Sequence, residues 1–225
     1  MISISDWSVY GWQEAIRGAR NSWHSNERCD SEFDTHGNLL SLGNNDYSLL
    51  KLLSEAGGSH AKYRRMITVY CDITAPLYWW KEFDTYKVGT VANSESTMHT
   101  LLDKPLDISQ FSVDQLFIKP WEDKNQAESS MYTMTAVINQ MNFWRDLYLD
   151  EPDPKVKKDI WYQIIQLLPS SFNQKRTVML NYEVLANIYK DRKNHKLKEW
   201  QEFCKWIKFF MPYSYLITGE ETHGI

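Results

Sequence analysis

The chain has 225 residues, 43% of them apolar and 14% aromatic, and a formal net charge of −4. That apolar share is ample for one real core, and no Pro/Gly/Ser linker is long enough to divide the chain, so a single domain over 1–225 is expected. The acidic balance excludes a general polyanion binder, and no apolar run reaches membrane-spanning length, so neither a nucleic acid polymer nor a membrane is expected as a partner.

The N-terminal MISISDWSVYGW has no basic region followed by an apolar core, which argues against export. A first helix is predicted over 12–23. Asn45 is placed to cap a second over 46–56, which Gly57-Gly58 stops. Residues 67–73 alternate with β-branched side chains and form the clearest strand; Ala75-Pro76 then opens a helix. Residues 111–118 read as a short strand or as irregular chain. Long helices are predicted over 126–149 and 153–168, because Met134, Ile138, Met141 and Trp144 recur at three and four and Asp153-Pro154 makes an N-cap and first turn. Two more cover 179–192 and 197–210, and the tail 219–225 is expected to be mobile. The outline is α+β with more helix than strand.

Cys29, Cys71 and Cys204 are odd in number and widely spaced, which excludes a disulfide framework or a CxxC metal site and points to a reduced, cytoplasmic setting. The histidines show no metal-ligand spacing, so no metal is expected. GxSxG, Walker A and GxGxxG fingerprints are absent. Trp79, Trp80, Trp144, Trp161, Trp200 and Trp206 sit at helical spacing and read as core or subunit interface. The candidate ligand site is the stretch from Gly89 to His99, rich in hydroxyl and amide groups, directly after the aromatic segment APLYWWKEFDTY.

This segment resembles the signature of the flavin-dependent thymidylate synthases: Arg-His-Arg, two residues, Ser, one residue, Asn, two residues, Ser, one residue, Arg-Tyr. Thr85-Tyr86-Lys87 falls on Arg-His-Arg, Thr90 on the first Ser, Asn93 on Asn, Ser96 on the second Ser and Met98-His99 on Arg-Tyr, with one extra residue between Thr90 and Asn93. EAIRGARNSW (14–23) is similar to the family's early Ala-x-Arg-x-Ala-Arg helix. LLPSSFNQKRTVMLNYEVLANIYKDR (167–192) resembles its later Asn, Asn, Arg series, here Asn181, Asn187 and Arg192, and LKEWQEFCKWIKFFMP (197–212) looks like its closing helix.

The resemblance implies a helix-rich fold with a small central sheet and a homotetramer with active sites between subunits. It implies methylation, or a related C5 modification, of a deoxyuridine-type pyrimidine nucleotide, with FAD as cofactor and NADPH and methylenetetrahydrofolate as co-substrates. Residue by residue, it assigns Lys87, Thr90, Asn93, Asn181, Asn187 and Arg192 to the cofactor and Ser96, Thr97 and Arg192 to the substrate, with Arg192 and His99 as catalytic groups. Without the resemblance, Asn181 and Asn187 read as helix caps or surface amides in preference to ligand contacts. Two family arginines that hold the substrate phosphate are replaced, by Met98 and Ile165, and Glu82 stands where the family has Gln. The missing charge then falls to Lys87, His99, Arg145, Lys175 or Arg176, or the chain keeps the fold as a non-catalytic, regulatory nucleotide- or flavin-binding protein.

Overall fold

The computed structural model describes residues 2–117 and 129–221. In chain order the elements are β1 (Ser3–Tyr10), α1 (Trp12–Asn21), β2 (Glu32–Phe33), β3 (Leu39–Ser41), α2 (Asn44–Ala56), β4 (Thr68–Pro76), α3 (Leu77–Phe83), β5 (Val91–Ser94) and α4 (Thr97–Thr100). They continue as α5 (Ser130–Asp150), α6 (Pro154–Leu167), β6 (Asn173–Asn181), α7 (Tyr182–Arg192), α8 (Lys198–Phe210) and α9 (Tyr215–Thr218). One four-stranded sheet has the order β1-β4-β6-β5, and β2 pairs antiparallel with β3. The architecture is α+β, helix-rich with a small sheet, as expected. Among the described residues no helix is long and apolar enough to cross a membrane.

The chain divides into two compact units. The larger takes in Ile2–Ile73, Phe83–Asn93 and the chain from Thr177 onward; the smaller takes in Thr74–Glu82 and Ser94–Arg176.

In the larger unit, β4 alternates as a half-buried strand should: Val69, Cys71 and Ile73 point inward. From β6, Val178 and Leu180 are buried, and α7 and α8 add Tyr182, Leu185, Ile188, Trp200, Phe203 and Ile207. Each fully buried large side chain contributes about 1.5–3 kcal/mol relative to exposure. Helix α1 buries Trp12, Ala15, Ile16, Ala19 and Arg20, one stripe at three- and four-residue spacing. Arg20 is inside because it meets Asp46, its Nε donating to Oδ1 at 2.5 Å. The other carboxylate oxygen accepts from Ser31 Oγ at 2.6 Å, Ser31 N at 3.0 Å and Asp30 N at 3.1 Å.

The expectation that Asn45 caps α2 is corrected: the helix starts at Asn44, with Gly43 at the cap position and no side-chain cap of its own. Asp30, from a distant segment, accepts from Asn45 N at 2.9 Å and Asp46 N at 3.0 Å. Gly43 permits this approach, since a Cβ there would lie 2.2 Å from Asp30 Oδ1. Gly57 does stop the helix, its N–H donating to the Leu53 and Ser54 carbonyls. At the other end of the chain the expected mobility is corrected for Gly219–Glu221. Glu220 accepts from Lys193 at 2.8 Å, Lys208 at 2.7 Å and Tyr189 Oη at 2.9 Å, so opposite charges and a phenol hold it; the tail's last residues, 222–225, lie outside the described residues.

The smaller unit is built on α5 packed against α6. Its core joins Leu101, Leu106, Phe111, Met134, Ile138, Met141, Ile164 and Phe172. Helix α6 starts where Asp153 and Pro154 place it, with Asp153 Oδ1 accepting from Lys155 N at 2.8 Å. Helix α5 begins at Ser130, capped by Ser129; residues 126–128 of the expected helix are outside the described residues. The segment from Phe111 forms only an isolated bridge with Phe172, and Ile118 lies outside the described residues. Pro76 closes β4 rather than opening a helix, which starts at Leu77.

Candidate functional site

The aromatic segment after β4 leads into a cleft of about 270 Å³ in the larger unit, lined by Phe83, Asp84, Tyr86, Lys87, Thr90 and Ala92. Lys87 and Thr90 thus share one wall, because the chain turns between them: Thr90 N donates to Lys87 O at 3.3 Å, and Gly89 supplies the positive φ of 83°. The hydroxyl of Thr90 is buried with no hydrogen-bond partner. A buried hydroxyl without an acceptor or donor costs about 1–3 kcal/mol, which a ligand's polar atom would relieve.

Asn181 reaches the same turn. It is the N-cap of α7, its Oδ1 accepting from Val184 N at 3.0 Å, so the helix predicted over 179–192 starts at Tyr182 and residues 179–181 finish β6. The other end of the amide lies against the turn, 2.9 Å from where a Gly89 Cβ would stand. Capping therefore uses the oxygen and leaves the amide nitrogen facing Gly89.

Arg192, at the far end of α7, also folds toward the cleft. Its Nε donates to the Tyr86 phenol at 3.0 Å, and its guanidinium lies 4.9 Å from the Trp200 ring centre and 5.7 Å from that of Tyr86. Burial pushes the Tyr86 phenol up, with Arg192 opposing, so Tyr86 is a neutral partner that orients the cation. Asn187 is exposed on α7, and Asn93 is exposed on β5, all four of whose residues are exposed; neither lines the cleft.

The remaining predicted residues belong to the smaller unit. Ser96 precedes α4, a single turn carrying Thr97, Met98 and His99; Ser96 and His99 are exposed and Thr97 is half-buried. Gln174 Nε2 donates to Thr97 Oγ1 at 3.1 Å and to Glu95 O at 3.0 Å. Arg176 Nε donates to Gln174 Oε1 at 3.0 Å while its guanidinium covers the Trp80 ring at 4.2 Å. One cation is thereby linked through Gln174 to the hydroxyl-bearing turn. Arg145 instead ties α5 to the chain before it, Nε donating to Leu102 O at 2.9 Å. Ile165 packs against the unit's core, and Met98 is 53% exposed.

Sequence reasoning missed a second cleft in the larger unit, of about 680 Å³, walled by Ala19, Trp23, Leu53 and Met66 and bearing Lys62 and Arg65. Its size falls in the usual range for ligand sites, and its cations suit an anionic ligand. The residues come from α1, α2, the 3-10 turn at His60–Arg65 and the chain just after α1 and that turn, a set with no sequence motif.

No thiol is poised as a nucleophile. Burial pushes Cys71 and Cys204 each up to about 12, and desolvation also raises Cys29, whose Sγ donates to Asp46. Among the described residues no group of His, Cys, Asp or Glu is placed to hold a metal ion.

Neither a protein-family model nor a curated protein matches the sequence. Solved structures do match the fold. The flavin-dependent thymidylate synthase ThyX from Helicobacter pylori, complexed with FAD and dUMP, gives a TM-score of 0.61 at 16% identity, covering 97% of this chain and 98% of that one. A second structure of ThyX from that organism with FAD and dUMP also gives 0.61 at 16% identity, covering 96% and 94%. The fold is therefore that of the flavin-dependent thymidylate synthases, shared over nearly the whole chain at low identity.

Proposed function

We propose that this chain is an FAD-dependent enzyme that methylates, or otherwise modifies at C5, a deoxyuridine-type pyrimidine nucleotide, using a folate one-carbon donor. The observation that carries the reading is the gathering of Lys87, Thr90 and Asn181 at the turn at Gly89, with Arg192 bonded to Tyr86 of the same cleft, within a fold shared with enzymes solved with FAD and dUMP. When bound, FAD supplies the hydride chemistry, with NADPH as reductant and methylenetetrahydrofolate as carbon donor.

The residues present fit such a cofactor. A flavin edge needs alternating donors and acceptors, and an unpartnered hydroxyl at Thr90 and the Asn181 amide nitrogen stand at the cleft turn. Lys87 and Arg192 supply positive charge for a phosphate or a developing anion. With every thiol raised, reaction without a cysteine nucleophile suits the chain better than thiol addition. On the substrate side, Ser96 and Thr97 offer hydroxyls, Arg176 takes over charge that Met98 does not carry, and His99 donates to the pyrimidine or its phosphate. Asn93 and Asn187 complete the cofactor contacts in an assembled homotetramer, since a cleft of about 270 Å³ takes in only part of a dinucleotide. The single chain acts as one functional domain, in the cytoplasm.

A non-catalytic, regulatory nucleotide- or flavin-binding role is the second reading. It is favoured by Ile165 being committed to packing and Met98 being uncharged, both at positions of family arginines.

The test is the visible absorbance of the purified protein before and after FAD is added, followed by titration with dUMP and then assay with the folate donor and NADPH. A flavin band that shifts with the nucleotide, followed by turnover, supports the enzyme. A band that shifts without turnover supports the regulatory reading, and failure to take up FAD overturns the flavin enzyme and leaves the regulatory reading with the nucleotide alone.

A further inference from the structure

A separate cavity of about 290 Å³ lies in the larger unit between α1 and the segment leading into β2, lined in part by Ile16, Arg17, Arg20, Asn26, Cys29 and Phe33. Arg20 is the unusual member. Its side chain is 4% exposed, Nε is engaged by Asp46 and Nη1 donates to Ser25 O at 3.2 Å, but Nη2 is buried without a hydrogen-bond partner. A guanidinium N–H left unmatched in the interior is costly, and a planar carboxylate is the acceptor whose geometry suits it. One turn earlier on the same helix, Arg17 lines the cavity with an exposed side chain and no carboxylate partner among the described residues. Among the described residues no carboxylate lines the cavity, while Ile16 and Phe33 give it apolar surface. Asp46 neutralises Arg20, so Arg17 leaves the site one positive charge in excess.

We propose that this cavity binds a small monocarboxylate with a compact apolar body, held by Arg17 and Arg20 against Ile16 and Phe33. The site is independent of the flavin and nucleotide chemistry. A carboxylate is favoured over a phosphate because one net positive charge matches a monoanion and because the apolar walls have no use for a bare inorganic ion.

Cys29 provides the readout, since it lines the cavity and is the exposed thiol, while Cys71 and Cys204 are buried. Alkylation of Cys29 by iodoacetamide is followed by mass spectrometry on the full chain, with benzoate as probe and benzamide and inorganic phosphate as controls. Benzoate is expected to slow the reaction saturably, by about tenfold at roughly ten times its dissociation constant, because only free sites react. Benzamide and phosphate leave the rate unchanged. Arg20 variants are unsuitable because they break the pair with Asp46, so Arg17→Ala is used: it alkylates like the parent chain without benzoate and loses most of the protection with it. The proposal is overturned if benzoate gives no saturable slowing, if benzamide or phosphate protects equally, or if Arg17→Ala is protected as well as the parent.

Discussion

Arg192 and Tyr86 are joined by a hydrogen bond of 3.0 Å across 106 positions of sequence, and the bond holds a cation of α7 to a residue that lines the cleft. Replacing Arg192 with Ala should weaken FAD binding roughly ten- to a hundredfold, the equivalent of about 1.5–3 kcal/mol for bonds to a charged group. Tyr86→Phe should have a smaller effect, because the stacking of the guanidinium on Trp200 survives. Equilibrium titration of flavin fluorescence measures both, with circular dichroism to establish that the fold is kept. Parent-like binding by Arg192→Ala would remove this residue from the site.

Asn181 holds two positions at once, and they can be separated. Asn181→Asp keeps the oxygen that caps α7 and adds a charge favourable at a helix N-terminus, so stability should hold within about 0.5 kcal/mol. It deletes the amide nitrogen beside Gly89, so flavin affinity should fall. Asn181→Ala should lose affinity and also about 1 kcal/mol of stability. Urea denaturation read beside flavin titration distinguishes the two roles; full flavin affinity in the Asp variant would leave Asn181 as a cap alone.

Arg176 is expected to matter for the nucleotide and not for the flavin. Arg176→Ala removes the partner of Gln174, which orients Thr97. Isothermal titration with dUMP on the FAD-loaded protein should show affinity reduced about tenfold or more, as befits a lost charge-assisted contact, while FAD uptake is unchanged. Equal dUMP affinity in the two proteins would count against Arg176 as the replacement for the missing family arginines.

Asp46 makes acid sensitivity predictable. Burial alone would raise its pKa, but hydrogen bonds from Ser31, Arg20, Cys29 and Asp30 outweigh it and hold the carboxyl below its ordinary 3.8. A depressed folded-state value means the stabilisation is complete above the ordinary pKa and is lost as pH falls through the folded one. Asp46→Asn should cost about 3–5 kcal/mol at neutral pH, because Arg20 is left buried without its counter-charge. Its stability should also fall less steeply than the parent's below pH 4, a difference that urea melts at stepped pH would reveal; parallel slopes would refute this assignment.

What the sequence makes legible follows from how local each signal is. Asp153-Pro154 and the apolar spacing of α5 and α6 are local, and both helices form, α6 at its expected start and α5 from Ser130 rather than from 126 among the described residues. The strand β6 is less visible, because its first residues, Asn173 to Arg176, are all polar, and only Val178 and Leu180 mark the buried alternation. Without that strand, the helix of Asn187 and Arg192 reads as beginning too early, although the structure makes Asn181 its cap. The cap of α2 is invisible for a different reason: Asp30 is brought to Asn45 by tertiary folding. At the site, the resemblance to the flavin-dependent thymidylate synthases singles out Lys87, Thr90 and Asn181, which the fold brings to one turn, and Arg192, which it joins to Tyr86. It says nothing of Gln174 as the link between Arg176 and Thr97, nor of the cleft bearing Lys62 and Arg65, because neither is a pattern along the chain.

The clasp on Glu220 sets a limit on trimming from the C-terminus. An exopeptidase working inward must free a carboxylate whose pKa is lowered to about 2 by Lys193, Lys208 and Tyr189, and removing that residue leaves Lys193, just past α7, and Lys208 of α8 without their shared counter-ion. Digestion should therefore slow at this point, and a chain ending at Gly219 should melt earlier and depend more on added salt than one ending at Glu221, because ions must then screen a repulsion that the protein itself had cancelled.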